Sequence, residues 1–390
     1  MIQTAQRLDG IGEYYFSKKL REIDQLNKAG KNIINLGIGS PDQPPHPDVI
    51  ATLQAESAKP NTHAYQNYKG SPVLREAFSK WYQQYYNVTL NSETEVLPLI
   101  GSKEGIMHIC MTYLNPGDKV LVPNPGYPTY SSAVKLAGGS TVPYELLEAN
   151  NYEPVLEEID TTGVKLMFVN YPHMPTGQLP TDVFFEKLVN WAKEKHILVI
   201  HDNPYSFILN DNPKSLLSVE GAKEVVLELN SLSKSHNMAG WRVGALVGHA
   251  DRLNEVIRFK SNMDSGMFLP AQLAAAKALL LPQEWYDSVN FIYKNRQKKV
   301  FALLDLLNCT FSKQQAGMFV WASANNNSTL SNNHELGAGG FLSDEVLYKA
   351  NVFITPGGIF GSAGNNYIRV SLCATEEKID EAIKRIKENL

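Results

Sequence analysis

The sequence predicts an α/β fold built on a mostly parallel, doubly wound sheet. Short apolar runs alternate with helix-period segments from about residue 95 to residue 280, the pattern of strands joined by crossover helices. Several of these runs end abruptly in turns rich in Gly, Pro or Asn, as strands do where they feed a helix. At 390 residues the chain exceeds what one hydrophobic core commonly serves, so a second, smaller α+β unit is expected beside the sheet.

The elements follow in order. Residues 1–45 hold a helical start and the Gly/Pro-rich loop "IINLGIGSPDQPPHP". "VLPLI" (96–100) leads into the helical "SKEGIMHICMTYL", and "KVLV" (119–122) ends at "PNPGYP". "VKLMFVN" (164–170) ends at "YPHMPTG" before the helix-like "DVFFEKLVNWAKEK". "ILVIHD" (197–202), "VVLEL" (225–229) and "RVGALVG" (242–248) complete the sheet. Such continuous apolar runs suit strands covered on both faces. From about residue 290 the chain reads as a long helix, the strand "GMFVWA", a helix near "SDEVLYKA" and the strand "YIRVSL". The polar stretch "SANNNSTLSNNHELGAGG" (323–340) reads as a mobile loop. The expected division is a large unit over 46–285 and a small one from 1–45 and 286–390.

Composition narrows the function. The chain carries 36 Lys plus Arg against 40 Asp plus Glu, a formal net charge of -4, which argues against nucleic acid as the partner. Three widely spaced cysteines suggest neither a disulfide framework nor a zinc site. The N-terminus lacks the apolar core of a signal peptide, and no run approaches 18 apolar residues. A cytoplasmic protein without a membrane partner is expected. Nine scattered histidines with no HExxH lend a catalytic metal no support.

Chemistry concentrates at the expected strand ends. In "SLSKSHNMAGWRVG" (231–244), Lys234 is either a surface lysine or an amine held near a carbonyl as a Schiff-base partner. Ser231, Ser233 and Arg242 supply hydroxyls and a fixed cation suited to phosphate oxygens. "GSKEG" (101–105) opens a helix directly after a strand, a second oxyanion site. Together these suggest a phosphorylated aldehyde. Asp202, at the end of "ILVIHD", is a loop anchor or the carboxylate that pyridoxal phosphate needs opposite its ring nitrogen. Tyr205 is placed to reach the ring oxygen and Tyr127 to lay a flat face on the ring. Arg369, inside the apolar "YIRVSL", makes an internal ion pair or clamps a substrate carboxylate.

With these motifs assembled, the chain resembles the class I/II aminotransferases, pyridoxal-phosphate enzymes of fold type I. The resemblance runs through "LGIGSPD" (36–42), "YQNYKGSPVLREAF" (65–78), "GSKEG", "NPGYPTY", "PTGQLP", "HDNPY", the lysine segment and "PGGIFG…YIRVSL". It implies transamination between an L-amino acid and a 2-oxo acid. Lys234 would bond the cofactor and move the α-proton, Asp202 would pair with the ring nitrogen, and Tyr205 with the ring oxygen. Ser102, Lys103, Ser231, Ser233 and Arg242 would hold the phosphate, with Tyr127 stacked on the ring. Arg369 would grip the α-carboxylate, helped by the backbone near Gly39. Tyr65 would reach the phosphate in a neighbouring subunit, implying a homodimer with shared sites. One departure stands out: the family's Asn-Pro-Thr-Gly is replaced here by Met174-Pro-Thr-Gly, so the donor to the ring oxygen is missing. His173 and Asn170 are the nearby substitutes. The same cofactor on this fold also supports C–S β-elimination, and a non-catalytic sensor is the alternative from another class.

Overall fold

A computed structural model describes residues 2–325 and 334–390 of the chain. After helix Tyr15–Lys28 and the short strand β1 (Ile34–Asn35), the chain builds its main sheet. The strands are β2 (Val96–Leu99), β3 (Lys119–Asn124), β4 (Ser140–Glu145), β5 (Val164–Val169), β6 (Leu198–Asp202), β7 (Val226–Ser231) and β8 (Gly244–Gly248). They lie in the order β2-β8-β7-β6-β5-β3-β4. Only β8 runs antiparallel to its neighbours β2 and β7.

The expected two-sided burial is explicit in β6. Val199 packs with helices Pro72–Tyr86, Asp182–Lys195 and Leu269–Leu279. Its neighbours Leu198 and Ile200 point the other way, into a cluster with Ile106, Tyr130 and Val256. Successive strand residues face opposite sides, so a strand between two helical layers has no polar face to show. The helices begin where sequence chemistry directs: Thr181 accepts from Phe184 N at 3.0 Å, capping Asp182–Lys195.

The smaller sheets are β1 paired with β10 (Val352–Phe353), and β11 (Thr355–Pro356) beside β12 (Tyr367–Ser371) and β9 (Phe319–Ser323). A separate apolar core joins them, including Phe16, Leu36, Val320, Val370 and Ile379. Helix Gln283–Leu306 runs unbroken from one core to the other: Tyr286 packs in the large core, Val289 onward in the small one.

Two differences from expectation stand out. β4 was not foreseen; it is an edge strand with mostly solvent-facing side chains and a proline at position 143, which erases the apolar signal. Of the loop expected over 323–340, residues 326–333 lie outside the described residues, and Gly337–Ala350 is helix. Gly339 and Gly340 of "GAGG" are buried against the chain, where an added Cβ would lie 1.8 Å from Tyr367 O and 2.3 Å from His334 Nδ1. Among the described residues no helix is long and apolar enough to cross a membrane.

Candidate active site

Strands β3, β5, β6 and β7 are parallel, so their carboxyl ends open on one edge of the sheet, where ligands bind in folds of this type. A cavity of about 770 Å³ lies there, between that edge and the small-sheet unit. β6 delivers Asp202 and then Tyr205, and β7 delivers Ser231, Ser233 and Lys234. The helix after β2 brings Ser102 and Lys103, and β12 brings Arg369. Gly39, Tyr127 and Arg242 also line it.

Lys234 Nζ donates to Gly39 O at 2.7 Å. Burial lowers its pKa, and the cations Arg369 and Arg242 push the same way. Gly39 is required at this contact: a Cβ there would lie 2.2 Å from the Phe319 ring. The Asp202 carboxyl is buried and pushed up to about 6 by desolvation, against a hydrogen bond from Tyr130 Oη to Oδ2 at 2.8 Å. Its Oδ1 has no partner among the described residues. Tyr130 is itself fixed by stacking on Phe168 with centroids 4.8 Å apart. Tyr130 was missed in the sequence, although it stands three residues after Tyr127 at the start of a helix.

At the other end, Arg242 has φ +57° and donates to Ala239 O at 2.9 Å. Gly101, at φ +82°, lets the guanidinium close on the helix N-terminus; a Cβ would sit 2.2 Å from Arg242 Nη2. Ser231 Oγ accepts from Ser233 N at 3.2 Å, capping the turn that carries Lys234. The result is a pocket of backbone N–H groups, hydroxyls and one cation, suited to an oxyanion.

Arg369 is buried and has no acidic partner among the described residues, which argues against the ion-pair alternative. Its Nη2 donates to Gly37 O at 2.8 Å, and its Nε has no hydrogen-bond partner among the described residues. The guanidinium lies over Phe319 at 3.8 Å and Phe360 at 4.7 Å, a cation–π cage. Burial lowers its pKa to about 10, leaving it charged at neutral pH.

The family profile described as aminotransferase class I and II matches residues 31–386. The chain belongs to that family. It is 39% identical to the LL-diaminopimelate aminotransferase of Halothermothrix orenii, over 99% of this chain and 98% of that one. The Moorella thermoacetica protein of the same name is also 39% identical, with the same coverage. Substrate-bound BacF from Bacillus subtilis superposes with a TM-score of 0.92 at 37% identity, covering 100% of this chain and 98% of its own. The protein is an aminotransferase of fold type I.

Two positions in this aminotransferase stand apart from the rest. Tyr65 does not reach the cavity of its own chain and is 92% exposed. At the departure from the family motif, Met174 lines the cavity and its sulfur accepts from Arg369 Nη1 at 3.3 Å. Of the two candidate substitutes, Asn170 lines the cavity and keeps a second amide hydrogen, while His173 Nε2 has no hydrogen-bond partner among the described residues. Asn170 donates to Asp202 O at 2.6 Å and accepts from Met174 N at 2.8 Å. His173 lies off the cavity with Nδ1 on Thr176 Oγ1 at 2.8 Å, and burial lowers its pKa to about 3.

Proposed function

We propose that this aminotransferase holds pyridoxal phosphate in the cavity, with Lys234 as its catalytic amine and Arg369 as the clamp for substrate carboxylates. The supporting observation is the unpaired, buried Oδ1 of Asp202 on the same cavity as the buried Lys234 amine. A buried carboxylate without a counterpart is costly, and a protonated ring nitrogen would relieve it. Ser102, Ser231, Ser233 and Arg242 would bind the phosphate, Lys103 through its backbone, and Tyr127 and Tyr205 would orient the ring. Bound there, the cofactor supplies a carbonyl that condenses with amines and a ring that withdraws electrons.

Lys234 would take the proton from the α-carbon of the amino acid that leaves as a 2-oxo acid, and in the return half-reaction would give a proton to the α-carbon of the incoming 2-oxo acid. The abstraction requires a neutral amine, which burial and the two arginines favour. Arg369 orients the substrate so that its Cα–H bond faces this amine, and the aromatic cage excludes water around the ion pair. Borohydride reduction of the loaded protein, followed by peptide mapping, should leave the cofactor on Lys234. Labelling at any other lysine overturns the assignment.

The names of the relatives support LL-diaminopimelate as amino donor. A second reading is favoured by Tyr14, Phe16, Leu20 and Ile38, aromatic or apolar residues in the cavity lining; such a lining suits an apolar donor side chain. Single half-reactions with LL-diaminopimelate, glutamate, aspartate, phenylalanine and methionine, followed by cofactor absorbance, separate the two. We also infer a homodimer in which Tyr65 reaches the partner's phosphate site, and a cytoplasmic setting consistent with three unpaired cysteines. Mixing Lys234→Ala with Tyr65→Ala subunits should then restore about a quarter of wild-type activity, since hybrid dimers keep one intact site. No recovery on mixing argues against shared sites.

A further inference from the structure

A fully buried pair joins the two strands that carry the site. His201 on β6 stands in register with Glu228 on β7, and water reaches neither side chain. Successive strand residues face opposite sides, so this pair lies across the sheet from Asp202. His201 Nδ1 is 2.8 Å from Glu228 Oε2. The same carboxylate accepts from Tyr82 Oη at 2.8 Å, Ser215 Oγ at 2.7 Å and Leu216 N at 3.1 Å. Leu216 N is nearer that carboxylate than the ring, which it approaches only to 3.5 Å. Nδ1 therefore donates to Glu228, and breaking such a buried pair leaves the carboxylate short of a partner.

The other ring nitrogen holds the segment that leads to Met174. His201 Nε2 lies 3.0 Å from Tyr171 O, and a carbonyl only accepts, so this nitrogen donates. The next residue of β6 holds the residue before Tyr171: Asp202 O accepts from Asn170 Nδ2 at 2.6 Å. Asn170 Oδ1 in turn accepts from Met174 N at 2.8 Å, and Met174 Sδ meets Arg369 Nη1 at 3.3 Å. Two adjacent strand residues thus fix the start of the segment that presents the thioether to the guanidinium. The His201 ring is itself held edge-on to Phe185, with centroids 5.4 Å apart. A side chain locked by packing and hydrogen bonds on a strand sets the position of what it grips more tightly than a loop does alone.

We propose that His201 is a positioning residue for the amino-acid carboxylate, setting the 170–174 segment through Tyr171 O and the orientation of Arg369 through Met174. The proposal rests on the reading of Arg369 as the carboxylate clamp. Two substitutions separate the two bonds of the ring. An asparagine amide stands near the place of Nδ1, so His201→Asn keeps the donor to Glu228 and loses the one to Tyr171 O. A glutamine amide reaches the place of Nε2, so His201→Gln does the reverse. His201→Asn should raise KM about tenfold for whichever of the five amino donors reacts fastest with wild type, while cofactor uptake and the urea midpoint stay close to wild type. His201→Gln should lower the urea midpoint yet keep KM within about twofold of wild type. In Met174→Leu protein, which has no sulfur to meet Arg369, His201→Asn should add no further rise in KM.

Activity that follows stability across the two variants makes His201 a structural residue and overturns the proposal, as does a His201→Asn chain that does not fold. An unchanged KM in His201→Asn overturns it too, and so does the same rise in KM with and without Met174→Leu. Arg369→Lys, assayed alongside, tests the underlying reading by itself. If that variant keeps the wild-type KM, the clamp falls, and the inference with it, whatever the His201 variants do.

Discussion

At the residue scale, Asp202 faces two opposed demands. Burial raises its pKa from 3.8 to about 6, so the folded chain binds more protons than the unfolded chain between those values. Stability of the cofactor-free protein must therefore fall as pH rises through that window, and the penalty persists above it. Relative to Asp202→Asn, wild type should lose roughly 3 kcal/mol between about pH 4 and pH 7, checked by urea unfolding. Absence of any slope difference would mean the carboxyl is not desolvated. Lys234→Ala should cost at least about 10³-fold in turnover, since no other cavity base replaces the lost proton carrier. Arg369→Lys should raise KM for the amino acid about 30-fold with a smaller change in kcat, because an ammonium cannot clamp a carboxylate through two parallel bonds. At Met174 the thioether offers no donor to the ring oxygen. Met174→Asn should lower the pH midpoint of the cofactor's visible transition by about half a unit or more; an unchanged midpoint rejects that idea.

At the element scale, legibility followed burial. β6 was readable because both faces are covered, making "LVI" continuously apolar. β4 was not, because an edge strand borrows its hydrogen bonds from β3 while its side chains face water. The helix near "SDEVLYKA" was expected, but its start at Gly337 was obscured by "GAGG", where close packing of the backbone overrides the poor helix propensity of glycine. Helix starts fared better, since caps are local chemistry. Thr181→Ala should lower stability by about 1 kcal/mol in thermal or urea unfolding, the worth of the bond to Phe184 N. The site followed the same rule. Lys234, Asp202 and Arg369 are conspicuous because charge in an apolar run demands a reason. Tyr130, Phe319 and Phe360 are aromatic residues in apolar surroundings and look like any other core.

At the scale of the whole molecule, the cavity lies between two cores that one helix joins, with Tyr286 in the first and Val289 in the second. Residues nearly two hundred positions apart, such as Met174 and Arg369, meet across it. The sequence by itself determined the α/β class, the strand ends that carry the chemistry and the amine, carboxylate and guanidinium that define it. Periodicity and local charge encode those directly. Only the tertiary structure decided that Asp202 keeps an oxygen without a partner among the described residues, and that Arg369 sits in an aromatic cage against a thioether. Those depend on which surfaces the packing brings together, and burial is what turns an ordinary side chain into a perturbed one.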